Sequence, residues 1–373
     1  MVGSRARPTG WKLTAGAAVL MLILASCGAG ESASPSASEA STAPSDEPSV
    51  AASVEATPME TVDVTFSTDF LLWGWHSWVF AAEPNGSFEG QGLNVQVEAG
   101  QGSVNTAAQL AAGAVDFALL DISTAMVAMT QDADIVLVGV HMQRHPGGFL
   151  FIEERNSIES YDDLEGLSIG GASGDAYLVV LPELMEQNGA DPAGYTLVTM
   201  EPAATTGALI ADQVDAIPGS PMTAPPRAAA AAAEGLTLGR FSYADNGYEA
   251  VGFAIATNGE TYRERPDVVQ RFVNAWAQSV LWSLENPEDA VQSFIDANPD
   301  KQLDPERESW DNASELLSTA DGQYFSFDAD RMQINIDFVN SQEGTDLSAD
   351  DGFFTNEFVD QLPEGDTSGE PPG

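Results

Sequence analysis

From Val62 onward the chain alternates short β-branched runs with helical stretches, and it does so twice. Val62-Asp-Val-Thr-Phe66 reads as a strand, residues 75–82 as a helix and Leu93-Asn-Val-Gln-Val97 as the next strand. A helix over 104–112 stops at Gly113; a strand at 115–120, a helix at 123–130 and a strand at 135–140 follow. Parallel strands need a crossover long enough for a helix, so this spacing predicts βαβ units. A second set covers strand 167–170, helix 177–188, strand 195–200, helix 203–211 and strand 214–217. Leu110-Ala-Ala-Gly-Ala-Val-Asp116 and Leu209-Ile-Ala-Asp-Gln-Val-Asp215 share a helix end, a turn and a Val-Asp step, 99 residues apart. We read this as two similar α/β lobes, against chance recurrence of a common helix–turn–strand pattern. Phe253-Ala-Ile-Ala-Thr257 reads as a strand returning to the first lobe, and helices are expected over 268–284, 287–297, 306–318 and 328–339.

The charge excludes several functions. Thirteen Lys and Arg against 57 Asp and Glu give a net charge of −44. Phosphate backbones are held by Lys and Arg, so nucleic-acid binding through a basic face is excluded. One cysteine rules out an internal disulfide framework and a Cys-based zinc cluster. Three histidines (His76, His141, His145) are too few for a His-rich metal site. No cofactor is expected. The acidic surface reads as solvated, as in a salt-tolerant protein.

Residues 1–26 read as an export signal. Arg5, Arg7 and Lys12 precede an apolar stretch over 13–25 that is short for a membrane span. Leu24-Ala25-Ser26-Cys27 resembles a bacterial lipobox, which implies lipidation of Cys27. Residues 27–60, rich in Ser, Ala, Pro and Glu, read as a disordered tether. The expected location is therefore the cell membrane, lipid-anchored on the extracytoplasmic face, with no other membrane contact. Lobe 1 is assigned to 61–155 and 250–345 with its C-terminal helices, lobe 2 to 156–249, and a C-terminal tail to 346–373.

One ungapped run carries a family resemblance: Asp69, six residues, His76, then Ala82, Gly86 and Phe88, then Gly92-Leu-Asn-Val95. Gly100-Gln-Gly-Ser103 with Thr106, Ala112-Gly-Ala-Val-Asp-Phe117 and Ile158-Glu-Ser-Tyr-Asp-Asp-Leu-Glu-Gly166 agree in order and spacing. Over about residues 62–280 the chain resembles a family of ABC-transporter substrate-binding proteins. Its members bind pyrimidine thiamine precursors, sulfonates, taurine and nitrate. The resemblance implies a type II periplasmic-binding-protein fold: two α/β lobes joined by two crossover segments and closing on a ligand. The crossovers are expected near 153–160 and 248–254. It also implies a monomer that delivers a small solute to ABC permease and ATPase subunits. Thiamine-pyrimidine synthases share the fold but would need a Cys-rich iron-binding segment. A serine hydrolase would need a Gly-x-Ser-x-Gly elbow in frame, so no enzyme is expected.

Ligands of open α/β sheets bind beyond the C-terminal ends of strands, which selects the candidate residues. Trp73 and Trp75 offer flat plates for an aromatic ligand or else plug the lobe core. His76 matches a His of the pyrimidine-binding branch, although that branch usually carries Asn where Trp73 stands; a cap or core role is the alternative. Gly102, Ser103, Asn105 and Thr106 open a helix whose free N–H groups take an oxygen ligand or are simply capped. Asp121 and Ser123 end a strand and either face the cleft or cap the next helix. In lobe 2, Ser173, Gly174 and Asp175 occupy the corresponding turn; Glu201 and Ser220 follow strand ends, Glu201 either pairing with a ligand or remaining solvated. Arg144 and Arg227 are the arginines nearest the expected cleft. The Trp-rich loop and its acids favour a small aromatic or amine-containing solute of the pyrimidine thiamine-precursor kind. A sulfonate, taurine or nitrate-type anion, and a non-transport sensory lipoprotein, are the alternatives.

Overall fold

In the computed structural model, residues 60–363 are described. The first lobe begins with β1 (Val62–Ser67), α1 (Ser77–Ala81), α2 (Ser87–Gly90), β2 (Leu93–Glu98), α3 (Ser103–Ala111), β3 (Phe117–Asp121), α4 (Ile122–Thr130) and β4 (Ile135–Val140). The second holds β5 (Gly148–Ile152), β6 (Ser168–Gly171), α5 (Ala176–Gln187), β7 (Thr196–Thr199), α6 (Thr205–Ile210), β8 (Ala216–Gly219), α7 (Ala224–Ala233) and β9 (Leu238–Ser242). The chain returns through β10 (Phe253–Asn258), α8 (Gly259–Glu264), α9 (Pro266–Glu285), α10 (Pro287–Ala297), α11 (Leu303–Ser314) and α12 (Ala329–Glu343).

The lobes share one topology. The sheet orders are β2-β1-β3-β10-β4 and β7-β6-β8-β5-β9. In each, three parallel strands meet a strand that runs antiparallel: β10 against β3 and β4, β5 against β8 and β9. This is the type II periplasmic-binding-protein arrangement. The Val-Asp repeat has a shared structural duty. Asp116 accepts the Thr65 N–H at 2.8 Å, and Asp215 accepts the Ser168 N–H at 2.8 Å. Each carboxylate thus ties the start of a central strand to its neighbour.

Lobe 1 has the larger core. β3 is buried along its whole length, and Phe117 stacks on Phe272 of α9 with ring centroids 4.0 Å apart. Phe66 packs edge-on to Trp78. A smaller apolar cluster in lobe 2 joins Leu150, Ile152, Leu209, Val214 and Ile217.

The first crossover lies earlier than the sequence indicated. β5 pairs with β8 and β9, so the chain passes between lobes at 141–147, not near 153–160, and returns at 243–252. The polar run at 153–160 looks like a linker, whereas the true crossover is mostly buried and held by hydrogen bonds. His145 Nε2 lies 3.0 Å from Asp121 Oδ2, and the Gly147 N–H reaches His145 Nδ1 at 3.1 Å. On the returning segment the Tyr248 hydroxyl meets Ser123 Oγ at 2.8 Å, and Asn335 bonds both Ser123 and the Val251 backbone.

The segment beyond 346 runs along lobe 1 in its described part. The Leu137 N–H donates to the Phe353 carbonyl, and Phe358 and Val359 are buried. The expected signal at 1–26, Cys27, the tether up to residue 59 and residues 364–373 lie outside the described residues. No helix among the described residues is long and apolar enough to cross a membrane.

Candidate functional site

The strand ends of both lobes face one cleft, and the lobes are shut upon it. Gly102 and Gly174, from corresponding turns, meet backbone to backbone; a Cβ on Gly102 would lie 2.4 Å from the Gly174 carbonyl oxygen. Gly102 has φ of +113°, so glycine is required there twice over, by conformation and by approach. Asn105 Nδ2 donates across the cleft to the Ser173 carbonyl at 3.1 Å, and Asn312 Nδ2 of α11 donates to Pro221 at 2.8 Å. The space left between the lobes is about 30 Å³, room for little more than a water. A ligand larger than that fits only when the walls of this space move apart.

Lobe 1 supplies Asp69, Phe70, Trp73, Trp75, Gly102, Ser103 and Phe253 to the cavity; lobe 2 supplies Asp175, Tyr177, Gly219, Met222, Thr223 and Arg227, among others. The loop after β1 is fixed by His76. The Trp73 N–H donates to His76 Nδ1 at 3.2 Å, which leaves the proton on Nε2 to face Asp69 Oδ1 at 3.1 Å. Asp175 caps α5, accepting the Tyr177 N–H at 3.0 Å. Arg227 is buried and donates to the Pro218 carbonyl at 2.9 Å and to Thr223 Oγ1 at 3.2 Å.

Burial dominates the electrostatics. It raises the Asp69 carboxyl above the ordinary carboxylate range, against the hydrogen bond and charge of His76. It pushes Asp175 up to about 6, against the Tyr177 N–H and the Arg227 charge. It lowers Arg227 to about 10, while Asp175 pulls the other way. Asp175 and Arg227 thus interact by charge, with Asp69 in the wall of the same cavity. The indole nitrogens of Trp73 and Trp75 and Nε of Arg227 are buried donors without a partner among the described residues. Buried donors are nearly always paired in native proteins. Residues with carboxylate acceptors and residues with unpartnered donors thus line one cavity.

Of the residues singled out in the sequence, Trp73, Trp75, Gly102, Ser103, Asp175 and Arg227 line this cavity. The others are elsewhere. His76 is fully buried behind Asp69. Thr106 is buried under the loop after β1, 3.4 Å from the Thr68 carbonyl. Asn105, Ser173 and Gly174 form the seam between lobes rather than the wall. Ser220 bonds Thr223 one residue behind the wall, and Glu201 is exposed beside α6. Asp121 and Ser123 are drawn into the crossover network, because α4 starts beside both crossovers; Asp121 also caps α4 through the Thr124 N–H at 2.8 Å. Arg144 lies on the first crossover and lines a separate groove with Arg331. Asp69, Phe70, Tyr177, Met222 and Thr223 were absent from the sequence-based set. Asp69 opens the very motif that carries the family resemblance, and that signal was available.

Asp121→Ala is expected to remove a helix cap and the partner of His145. The expected cost is about 1–3 kcal/mol of stability, with the cavity wall intact and ligand affinity unchanged. Urea unfolding and calorimetric titration of the variant check both halves.

A formylaminopyrimidine-binding protein of Halalkalibacterium halodurans is 23% identical over 304 residues, spanning 79% of this chain and 90% of that protein. The ligand-binding component of an ABC-type import system from Staphylococcus aureus superposes with a TM-score of 0.60 at 14% identity. It covers 80% of this chain and 98% of that one. The alkanesulfonate-binding protein of Xanthomonas axonopodis, solved with MOPS, superposes with a TM-score of 0.56 at 15% identity, over 68% and 85% of the two chains. The chain thus shares its fold with solved solute-binding proteins of the periplasmic-binding-protein kind. The profile described as NMT1/THI5 like matches residues 73–290, more than half of the chain, which therefore belongs to the NMT1/THI5-like family.

Proposed function

We propose that the protein is an extracytoplasmic receptor for a flat, amino-bearing nitrogen heterocycle of the formylaminopyrimidine kind, which it delivers to an ABC permease and its ATPase. The observation that carries this reading is the pairing of Asp69 and Asp175 with the aromatic wall of Phe70, Trp75, Tyr177 and Phe253. Buried carboxylates accept hydrogen bonds from an amino group, and a planar ring takes the aromatic surface. The unpartnered donors on Trp73, Trp75 and Arg227 suit a carbonyl oxygen or ring nitrogen on the same ligand. The named ligand of the Halalkalibacterium relative has both kinds of group.

A sulfonate or similar anion is the second reading. Arg227 and the N-termini of α3 and α5 favour it, since helix N-termini attract anions. Asp69 and Asp175 weigh against it, because an anion beside two buried carboxylates meets like charge in a low-dielectric site. Thermal unfolding with saturating formylaminopyrimidine, alkanesulfonate or nitrate separates the two. A ligand at 100 times its Kd adds about 2.7 kcal/mol to stability. The pyrimidine is expected to raise the Tm and the anions to leave it in place; the reverse pattern selects the anion reading.

The membrane attachment proposed is a lipid on Cys27, with the following segment as tether. Cys27→Ser is expected to move the protein from the membrane fraction to the medium or periplasm. Retention after a high-salt wash would place the anchor elsewhere.

A further inference from the structure

Trp73 stands between two cavities. It lines the space between the lobes with Asp175 and Arg227, and it also lines an outer cavity of about 340 Å³ with α7 and residues 300–306. Two cations lie over its ring. The Arg227 guanidinium, from lobe 2, is 5.2 Å from the centroid; the Lys301 ammonium, from the loop between α10 and α11, is 4.6 Å away. Arg227 lines the inner cavity and not the outer; Lys301 lines the outer and not the inner. Lys301 is the only lysine after residue 12. Among the described residues no carboxylate pairs with it within 4.0 Å, although Asp300 and Glu306 line the same cavity.

We propose that Lys301 is a positioning residue of the binding site: it holds the Trp73 indole against Arg227, so that the ring closes the passage between the outer cavity and the ligand space. A cation over an indole face is attracted by the ring quadrupole, more strongly where water is excluded. Trp73 is 9% exposed and Arg227 4% exposed, so the contact between lobes is largely dry. The rest of the Trp73 loop is already anchored. The Trp73 N–H is held by His76, and the Gly74 N–H donates to Glu306 Oε2 at 2.5 Å. Its backbone is thereby fixed, and what the two cations act on is the ring. Lys301, two residues before α11, bears on the ring from the side of the outer cavity. In this arrangement the Trp73 ring is the door of the site and Trp75 its aromatic wall.

The inference concerns the gate and does not require the pyrimidine reading, so its test is made without ligand. The Trp73 indole N–H is buried and unpartnered, and it exchanges with solvent only when the ring moves. In the full folded chain its exchange rate is read by NMR, with the signal assigned through Trp73→Phe. Lys301→Met keeps the aliphatic stem and removes the charge. It is expected to speed that exchange by about threefold to tenfold, the factor corresponding to one cation–π contact. Lys301→Arg is expected to restore the slow rate, which a purely steric role would not require. Unchanged exchange in Lys301→Met overturns the proposal. In stopped-flow with formylaminopyrimidine, the association and dissociation rates of Lys301→Met are expected to rise together, since a door left open speeds traffic both ways. Absence of any binding to the wild-type chain overturns the pyrimidine reading and leaves the exchange result to decide the gate.

Discussion

Asp175→Asn is expected to make the protein more stable at neutral pH and a poorer receptor. Asp175 is buried at the start of α5, and burial lifts its carboxyl from an ordinary 3.8 to about 6. A group whose folded pKa is raised contributes stability that is complete below its unfolded pKa and is lost as pH rises through the folded value. At pH 7 the native state thus carries an ionised acid that costs about 2–3 kcal/mol relative to its protonated form. The amide copies the protonated acid and still accepts the Tyr177 N–H as a helix cap. The stability difference between variant and wild type should grow by about 2–3 kcal/mol between pH 4 and pH 7. His141, which burial lowers to about 3, gives the opposite trend: its contribution falls as pH drops below 6.5. That term is common to both proteins and cancels in the difference. For a ligand that donates an amino hydrogen to the carboxylate, the variant loses a charged hydrogen bond of about 1.5–3 kcal/mol, roughly tenfold to a hundredfold in Kd. Denaturant unfolding at the two pH values and calorimetry at pH 7 measure the two effects. Parallel stability at both pH values would mean that Asp175 is ionised without strain.

Trp75→Ala is the second large effect. Trp75 is 2% exposed, with its ring 3.8 Å from His76 and 5.7 Å from Phe253. Its backbone N–H donates to Ser309 Oγ at 3.1 Å, so the loop after β1 is stapled to α11 directly beneath the ring. Truncation removes a large buried side chain and leaves a void joined to the ligand space, at a cost of about 3–5 kcal/mol. The void also removes the wall on which a planar ligand rests. Trp75→Phe restores part of the volume and should recover more than half of the stability. A Trp75→Ala protein as stable as wild type in urea would show that the site collapses around the gap.

The fold was readable because its signals are local. The Val-Asp steps at 116 and 215 marked two lobes, and each Asp turned out to tie neighbouring strands at the same place. β5 gives no strand signal because Gly-Phe-Leu-Phe-Ile152 does not alternate, and the polar stretch directly after it reads as a linker. The site was half readable. Gly102, Ser103 and Asp175 follow strand ends, where the rule for open sheets applies without further information. Asp121 and Ser123 satisfy the same rule and fail it, since His145 and Tyr248 arrive from distant chain segments to claim them. Tyr177, Met222 and Thr223 depend on how lobe 2 closes over lobe 1, which no single stretch encodes, whereas Arg227, expected near the cleft, lines the cavity. Trp73 reads in the sequence as a plate for the ligand or a plug of the lobe core; two cations from different parts of the chain lie over its buried ring.

The central claim is that an amino-bearing pyrimidine, rather than an oxyanion, belongs between Asp69, Asp175 and the aromatic wall. Calorimetric titration of the wild-type chain at pH 7 with a formylaminopyrimidine and, separately, with an alkanesulfonate tests it most directly. Saturable binding of the pyrimidine at one site per chain, with no heat from the sulfonate, is the expected result. Saturable binding of the sulfonate with none of the pyrimidine would contradict the account.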